Sequence, residues 1–249
     1  MSYYENHGHI VLGDGTLEEK FRTLRENNVV YFRDAGGHGL EISKARDLAA
    51  ENGIIFKTPV IALYKEGLYG KFLGESFTDS KDFYKKVLYA KELGADFIKV
   101  MYSGIASFKH PGTLTCEPLS AQEIKEICKT VHGEGLKVMA HCNGATTIKY
   151  AIEYGTDSIE HGIFIDDEAI DMLRQSEGST IWVPTIVAVT NEELQVAHKD
   201  SVKKAAEEGV KIACGSDSGA STVAHGIGTK LEAEALTECG ALEEGFVCI

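Results

Sequence analysis

Short runs of β-branched and apolar residues alternate along the whole chain with longer stretches in which apolar positions recur three and four apart. The first pattern predicts strands and the second amphipathic helices facing a core. Eight runs read as strands: HIVL (9–12), VVYFRD (29–34), IIFKTPVIAL (54–63), DFIKVMYS (96–103), KVMAH (137–141), SIEH (158–161), TIWVPTIV (180–187) and VKIACGS (210–216). Helical patterns such as SAQEIKEICKTVHGEG and NEELQVAHKDSVKKAAEEG lie between them. Ser120 followed by Glu123 reads as a capping box, Asp79 or Ser80 caps the helix after it, and glycines at 53, 94, 135, 155 and 209 stand where helices end. Strands that alternate with helices run parallel, because parallel neighbours need crossover connections. Eight such units in 249 residues predict an α/β fold, a closed (β/α)8 TIM-type barrel, with residues 1–249 as a single domain. An open doubly wound sheet would want a glycine-rich phosphate turn after its first strand, and Gly13-Asp14-Gly15-Thr16 is too short a fragment of one.

Composition narrows the setting. The chain is 43% hydrophobic and 25% charged, as in ordinary packed proteins. It contains no run of the ~18 apolar residues a membrane helix needs. Its first residues, MSYYENHGHI, carry neither a basic flank nor an apolar run, which predicts a cytoplasmic address. A formal charge of −13 opposes phosphate backbones and anionic lipid, so neither nucleic acid nor a membrane surface is the expected partner. The six cysteines form no C-x-x-C pair and read as small buried hydrophobes.

In a barrel the chemistry gathers at the C-terminal ends of the strands. The first run carries His7 and His9, the fourth Lys99, the fifth ends at His141, the sixth at His161, and the loop after the eighth carries Asp217. Histidines two apart point to one face of a strand, so both imidazoles can reach one cation. A lone histidine at a strand end is ordinarily a hydrogen-bonded structural group; four of them converging with an aspartate and a lysine are harder to place by chance. His132 and His198, inside helices, read as solvated, whereas His38, His110 and His225 lie in loops that could border the pocket. Lys99, in FIKVM, is buried, where an unpaired ammonium costs several kcal/mol. A neutral amine there can add carbon dioxide to give a carbamate, or form a Schiff base. Arg33 either binds a substrate carboxylate or pairs with Asp34.

H-G-H at 7–9, the lysine in FIKVMYSG, AHCNG, SIEHG and GSDSG form an ordered series that resembles the metal-ligand set of the amidohydrolase superfamily. VVYFRDAGG and VPT extend the match, which runs from residue 6 to about 240 and is nearest to the imidazolonepropionase-like and metal-dependent Xaa-Pro dipeptidase-like branch. The resemblance implies two divalent metal ions, zinc above all: His7, His9 and Asp217 hold one, His141 and His161 the other, and carbon dioxide bound as a carbamate on Lys99 bridges them. It implies hydrolysis of an amide, small-peptide or cyclic-amide C–N bond by a metal-bridging hydroxide, with Asp217 as the catalytic proton shuttle. Asn143, Tyr102 and His225 are the expected substrate contacts; some dipeptidase-like relatives place a tyrosine where Asn143 stands. The partner is then a small molecule or small peptide, and the protein a homo-oligomer. Family members carry a small β-sandwich built from segments flanking the barrel. This chain is expected to lack it and to be truncated at its C-terminal end, which makes the seam between first and eighth strands the expected weak point. Two rivals stand beside this reading: a Lys99 Schiff-base aldolase, which leaves the strand-end histidines unexplained, and a non-catalytic barrel that keeps the ligand set.

Overall fold

All strand ladders of the structure, a computed structural model that describes residues 1–241 except 108, 111 and 221, are parallel. In chain order the elements are β1 (Tyr3–Gly8), α1 (Leu17–Glu26), β2 (Val29–Asp34), α2 (Ile42–Glu51), β3 (Ile55–Lys57), β4 (Ala62–Lys65), β5 (Gly74–Phe77), α3 (Ser80–Glu92), β6 (Ile98–Met101), α4 (Ala121–Gly133), β7 (Val138–Cys142), α5 (Ala145–Glu153), β8 (Ser158–His161), α6 (Asp167–Gln175), β9 (Ile181–Val183), α7 (Glu192–Glu207) and α8 (Ile227–Glu238). They form one sheet in the order β1-β2-β3 and a second in the order β5-β4-β6-β7-β8-β9. Segment 210–218 runs between β9 and β1: Ile212 bridges Trp182, and backbone bonds join Asn6 N to Cys214 O (2.9 Å), Asp217 N to His7 O (2.7 Å) and His9 N to Ser218 O (2.7 Å). The seam expected to be weak therefore carries three backbone bonds.

Several strand expectations change, and TIWVPTIV keeps only Ile181–Val183 as strand before a 3-10 turn at Ile186–Ala188. The first strand lies upstream of HIVL, because Tyr3–Gly8 pairs with β2 while the chain turns after His9, with Leu12 N on His9 O. IIFKTPVIAL splits into β3 and β4: Pro59 has no N–H to donate, and Val60 takes a left-handed backbone (φ 67°). β5 is a short edge strand whose GESF carries too little alternation to be read as one. The eighth run holds only isolated bridges. Helix signals fare better. Ser120 and Glu123 form the capping box of α4, and Asp79 caps α3 by accepting from Asp82 N.

Side-chain parity places the chemistry. Along β6 and β7, Ile98, Val100, Val138, Ala140 and Cys142 join the large core beneath the helices, and Lys99, Met139 and His141 alternate to the opposite face. Each large apolar side chain buried in that layer contributes about 1.5–3 kcal/mol. Cys128, Cys142, Cys214 and Cys239 are buried free thiols and Cys116 is half-buried; Cys248 lies outside the described residues. His198, expected in solvent, is buried: its Nε2 donates to Pro184 O at 2.9 Å against the Trp182 ring. Among the described residues no helix is long and apolar enough to cross a membrane.

Candidate metal centre

His7 and His9 reach one point because they sit two apart at the end of β1, with Gly8 between them facing the other way. A Cβ at residue 8 would lie 2.6 Å from the Phe32 ring and 2.7 Å from Ser218 Oγ, so glycine is required there. His7 Nδ1 lies 2.5 Å from Glu160 Oε2, and His9 Nδ1 lies 2.6 Å from Gly36 O. Both partners accept only, so each Nδ1 carries a proton and Nε2 is the nitrogen turned to Asp217. Those nitrogens stand 3.4 and 3.3 Å from Asp217 Oδ1, itself buried with no hydrogen-bond donor. Among the described residues, ligand atoms of His7, His9 and Asp217 lie within 4.8 Å of one another. Two imidazole nitrogens and a carboxylate oxygen converging on one space are the donor set of a divalent cation, and the residues fit one.

The second group of histidines adjoins the first. The His141 and His161 rings are 4.7 Å apart, and His161 is 4.9 Å from His7. His161 Nδ1 meets Thr185 Oγ1 at 2.7 Å, and His141 Nε2 lies 3.3 Å from Gly104 O. Burial, reinforced by Lys99, pushes His141 down to about 3, and burial drives His161 well below the usual imidazole range, so both rings are neutral, as ligands must be. Lys99 lies 1% exposed on β6, its Nζ without a hydrogen-bond partner, and burial lowers it to about 8.

Three site residues leave the regular backbone: His161 (φ 65°), Thr185 (φ 50°) and Asp217 (φ 58°) are left-handed. Period-two alternation along β8 turns Ile159 outward with the core and would turn His161 the same way; the left-handed bend brings it into the cavity instead. Beneath it Glu160, fully buried, accepts from His7, from Arg33 Nη2 (2.7 Å) and from Ser158 Oγ (2.6 Å). Burial works against its charge, yet Arg33 and His7 hold it down at about 2. Arg33 therefore pairs with Glu160, not with Asp34, which receives Thr58 Oγ1 and Ile10 N.

A profile described as the amidohydrolase family matches residues 16–240. The chain belongs to that family. The amidohydrolase chain is 29% identical over 128 residues to an uncharacterised protein of Mycobacterium tuberculosis, covering 44% of this chain and 34% of that one. It thus spans about a third of the curated relative. A Xaa-Pro dipeptidase solved with methionine in its active site is similar at 23% identity and TM-score 0.76, over 96% of this chain and 70% of that one. Ochratoxinase of A. niger gives 20% and 0.76, over 97% and 67%. These likenesses imply a TIM-type barrel.

Within the amidohydrolase cavity, His7, His9, Lys99, His141, His161, Asp217 and Asn143 are all lining residues. The other two expected substrate contacts are corrected. Tyr102 is fully buried in the outer core, its hydroxyl between Cys128 Sγ (3.4 Å) and Thr156 Oγ1 (3.3 Å), because it continues β6 on the parity opposite to Lys99 and Met101. His225 sits behind Gly13 and Gly219, its Nε2 3.2 Å from His9 O. Asn143 spends its carboxamide on the loops: Oδ1 accepts from Ile163 N (2.9 Å) and Nδ2 donates to Gly104 O (3.1 Å).

Glu232 of α8, which the sequence pattern did not single out, accepts from Ile186 N and Val187 N (both 2.9 Å) and so pins the turn that carries Thr185. Burial pushes its carboxyl up to about 8. A folded-state value above the unfolded ~4.3 means stability is full at low pH and is lost as pH climbs through about 8. Glu232→Gln should accordingly flatten the fall in thermal midpoint between pH 5 and pH 8. Parallel midpoint curves for the two proteins would show that Glu232 ionises normally.

Proposed function

We propose that this chain is the catalytic barrel of a metal-dependent hydrolase acting on a C–N bond in an amide, small peptide or cyclic amide. The observation that carries the reading is the trio of ligand atoms, His7 Nε2, His9 Nε2 and Asp217 Oδ1, facing one another in the cavity that also holds the unpartnered Lys99 amine. In this reading the two sheets and segment 210–218 make one (β/α)8 barrel, with β3 and β4 as a single broken strand. His7, His9 and Asp217 would hold one divalent ion and His141 and His161 a second, with Lys99 available to both as a carbamate; zinc suits such a set of imidazole and carboxylate groups. When bound, the metals supply a Lewis acid that polarises a carbonyl and acidifies water. The chain's own residues do the rest. Glu160 and the Gly36 carbonyl fix the His7 and His9 tautomers. Asp217, its side chain 14% exposed against 1% for His7 and 4% for His9, is the most accessible member of the trio; its carboxylate takes the proton of the attacking water and returns it to the leaving amine. Asn143 holds the 104 and 163 loops at the cavity wall.

Protein prepared with zinc and bicarbonate should contain close to two equivalents of metal and hydrolyse members of a panel of dipeptides, N-acyl amines and lactams. Asp217→Asn should lower turnover by at least about a hundredfold while retaining most of the second metal. Less than half an equivalent of metal in the wild type would overturn the assignment, and near-normal turnover of the variant would remove Asp217 from the proton transfer.

A further inference from the structure

The cavity above the metal residues encloses about 540 Å³. Much of its wall is apolar: Tyr69, Phe72, Met101, Ile105, Ile163 and Leu194 line it. Tyr69 stacks on the His141 ring at 4.9 Å and meets the Phe72 ring edge-on at 5.6 Å, and Phe72 stands 53% exposed at the rim. A phenyl ring held half in solvent beside a deep apolar cavity marks where an apolar group enters.

Outside the metal cluster, several polar groups of the lining are already engaged. Thr185 Oγ1 is on His161, the Asn143 carboxamide on the two loops, and Asn191 Oδ1 caps α7 by accepting from Leu194 N. The basic side chains in the lining are the four histidines and Lys99, all members of the metal cluster. None of the eleven residues left undescribed is basic, so no lysine, arginine or histidine outside this cluster belongs to the lining. Arg33, the buried guanidinium closest in sequence logic to a carboxylate clamp, has Nη2 on Ser158 and Glu160 and Nε on Asn6 O (2.8 Å), and lies outside the lining. A peptide with a free α-carboxylate held away from the metal cluster would have to bury that charge against leucine, isoleucine and aromatic rings with no basic side chain of the lining to meet it, at a cost of several kcal/mol.

We infer that the substrate is an uncharged amide with apolar groups on both sides of the scissile C–N bond, such as an N-acyl arylamine, an N-acyl cyclic amine or a hydrophobic lactam. The inference rests on the hydrolytic reading above and deepens it.

Two matched pairs test it on zinc-loaded wild-type protein: phenylacetanilide against 4-(phenylacetylamino)benzoate, and N-phenylacetylpyrrolidine against N-phenylacetyl-L-proline. Hydrolysis is followed by product amine, and binding by calorimetry, which needs no turnover. The neutral member of each pair should show a kcat/KM and an affinity at least about tenfold above its acid. Leu194→Lys, which places a cation on the half-buried first turn of α7 at the cavity wall, should narrow or reverse that ratio by raising the acid. Neutral compounds that bind more tightly than the acids but are not cleaved would keep the substrate class and sink the hydrolytic reading. Acids cleaved or bound as well as their neutral partners, or no binding by either, would overturn the inference.

Discussion

Lys99→Met is expected to divide two properties that usually fall together: metal-free protein becomes more stable while metal and turnover are lost. The side chain lies in β6 between Ile98 and Val100, 1% exposed, with an amine that no acceptor meets. Burial lowers its pKa from the ordinary lysine value to about 8, and a depression of that size corresponds to about 3 kcal/mol spent on holding the charged form in the fold. Methionine fills similar volume without that cost, so the thermal midpoint of the apo protein should rise by several degrees. The same substitution removes the group that, as a carbamate, would serve both metals. Metal content should fall below half of the wild-type value and turnover by at least about a thousandfold, since the loss reaches both ions and the chemistry they supply. Carbon-13 bicarbonate should label the wild type with a carbamate signal absent from the variant. A lower apo midpoint would show that the amine has a partner after all, and a borohydride-trapped, substrate-dependent adduct at Lys99 would replace the carbamate with an imine.

Glu160→Gln should act in the opposite direction, weakening the fold first and the site second. Its carboxylate is the shared acceptor of Arg33, His7 and Ser158 in a fully buried cluster. Removing one partner leaves the guanidinium charge without its counter-ion, which in buried pairs costs about 3–5 kcal/mol. The sign with pH is fixed by the depressed value of about 2: the stabilisation is present above the unfolded ~4.3 and disappears as pH falls through about 2. Urea unfolding at pH 7 should therefore separate variant from wild type by several kcal/mol, and the gap should close towards pH 2. Glutamine can still accept from His7 Nδ1, yet with a neutral oxygen, so zinc affinity should drop by about 10- to 100-fold. Equal stabilities at pH 7 would mean that Arg33 finds another counter-charge.

The six proposed ligands were legible because parity along short strands is a strict code. Lys99 and His141 alternate with core residues in FIKVM and KVMAH, and the H-x-H spacing needs no tertiary information. Glu160 was in plain view inside SIEHG but unread, since alternation made it and His161 competitors for one face. Only the left-handed backbone at His161 lets both turn inward, and sequence periodicity carries no record of such a bend. Tyr102 and His225 show the reverse: nearness in sequence to a strand end is not nearness to the cavity, since one residue of parity sends Tyr102 to the helices. The β3/β4 break at Pro59 and Val60 hid in an apolar run whose hydropathy is uniform on both sides of it.

The left-handed residues His161, Thr185 and Asp217 bear on how this protein can be engineered. Each non-glycine residue in that region costs on the order of 1 kcal/mol or more, which glycine would not incur. A library selected for heat resistance alone would thus be drawn to glycine at the three positions that orient the donors, and its winners would be robust, well-folded and inert. Thermostabilisation campaigns on this scaffold should freeze these codons and look for gains on the helical exterior, such as Tyr84, Leu88 and Tyr89 on α3, where solvent-facing apolar side chains can be exchanged without touching the cavity.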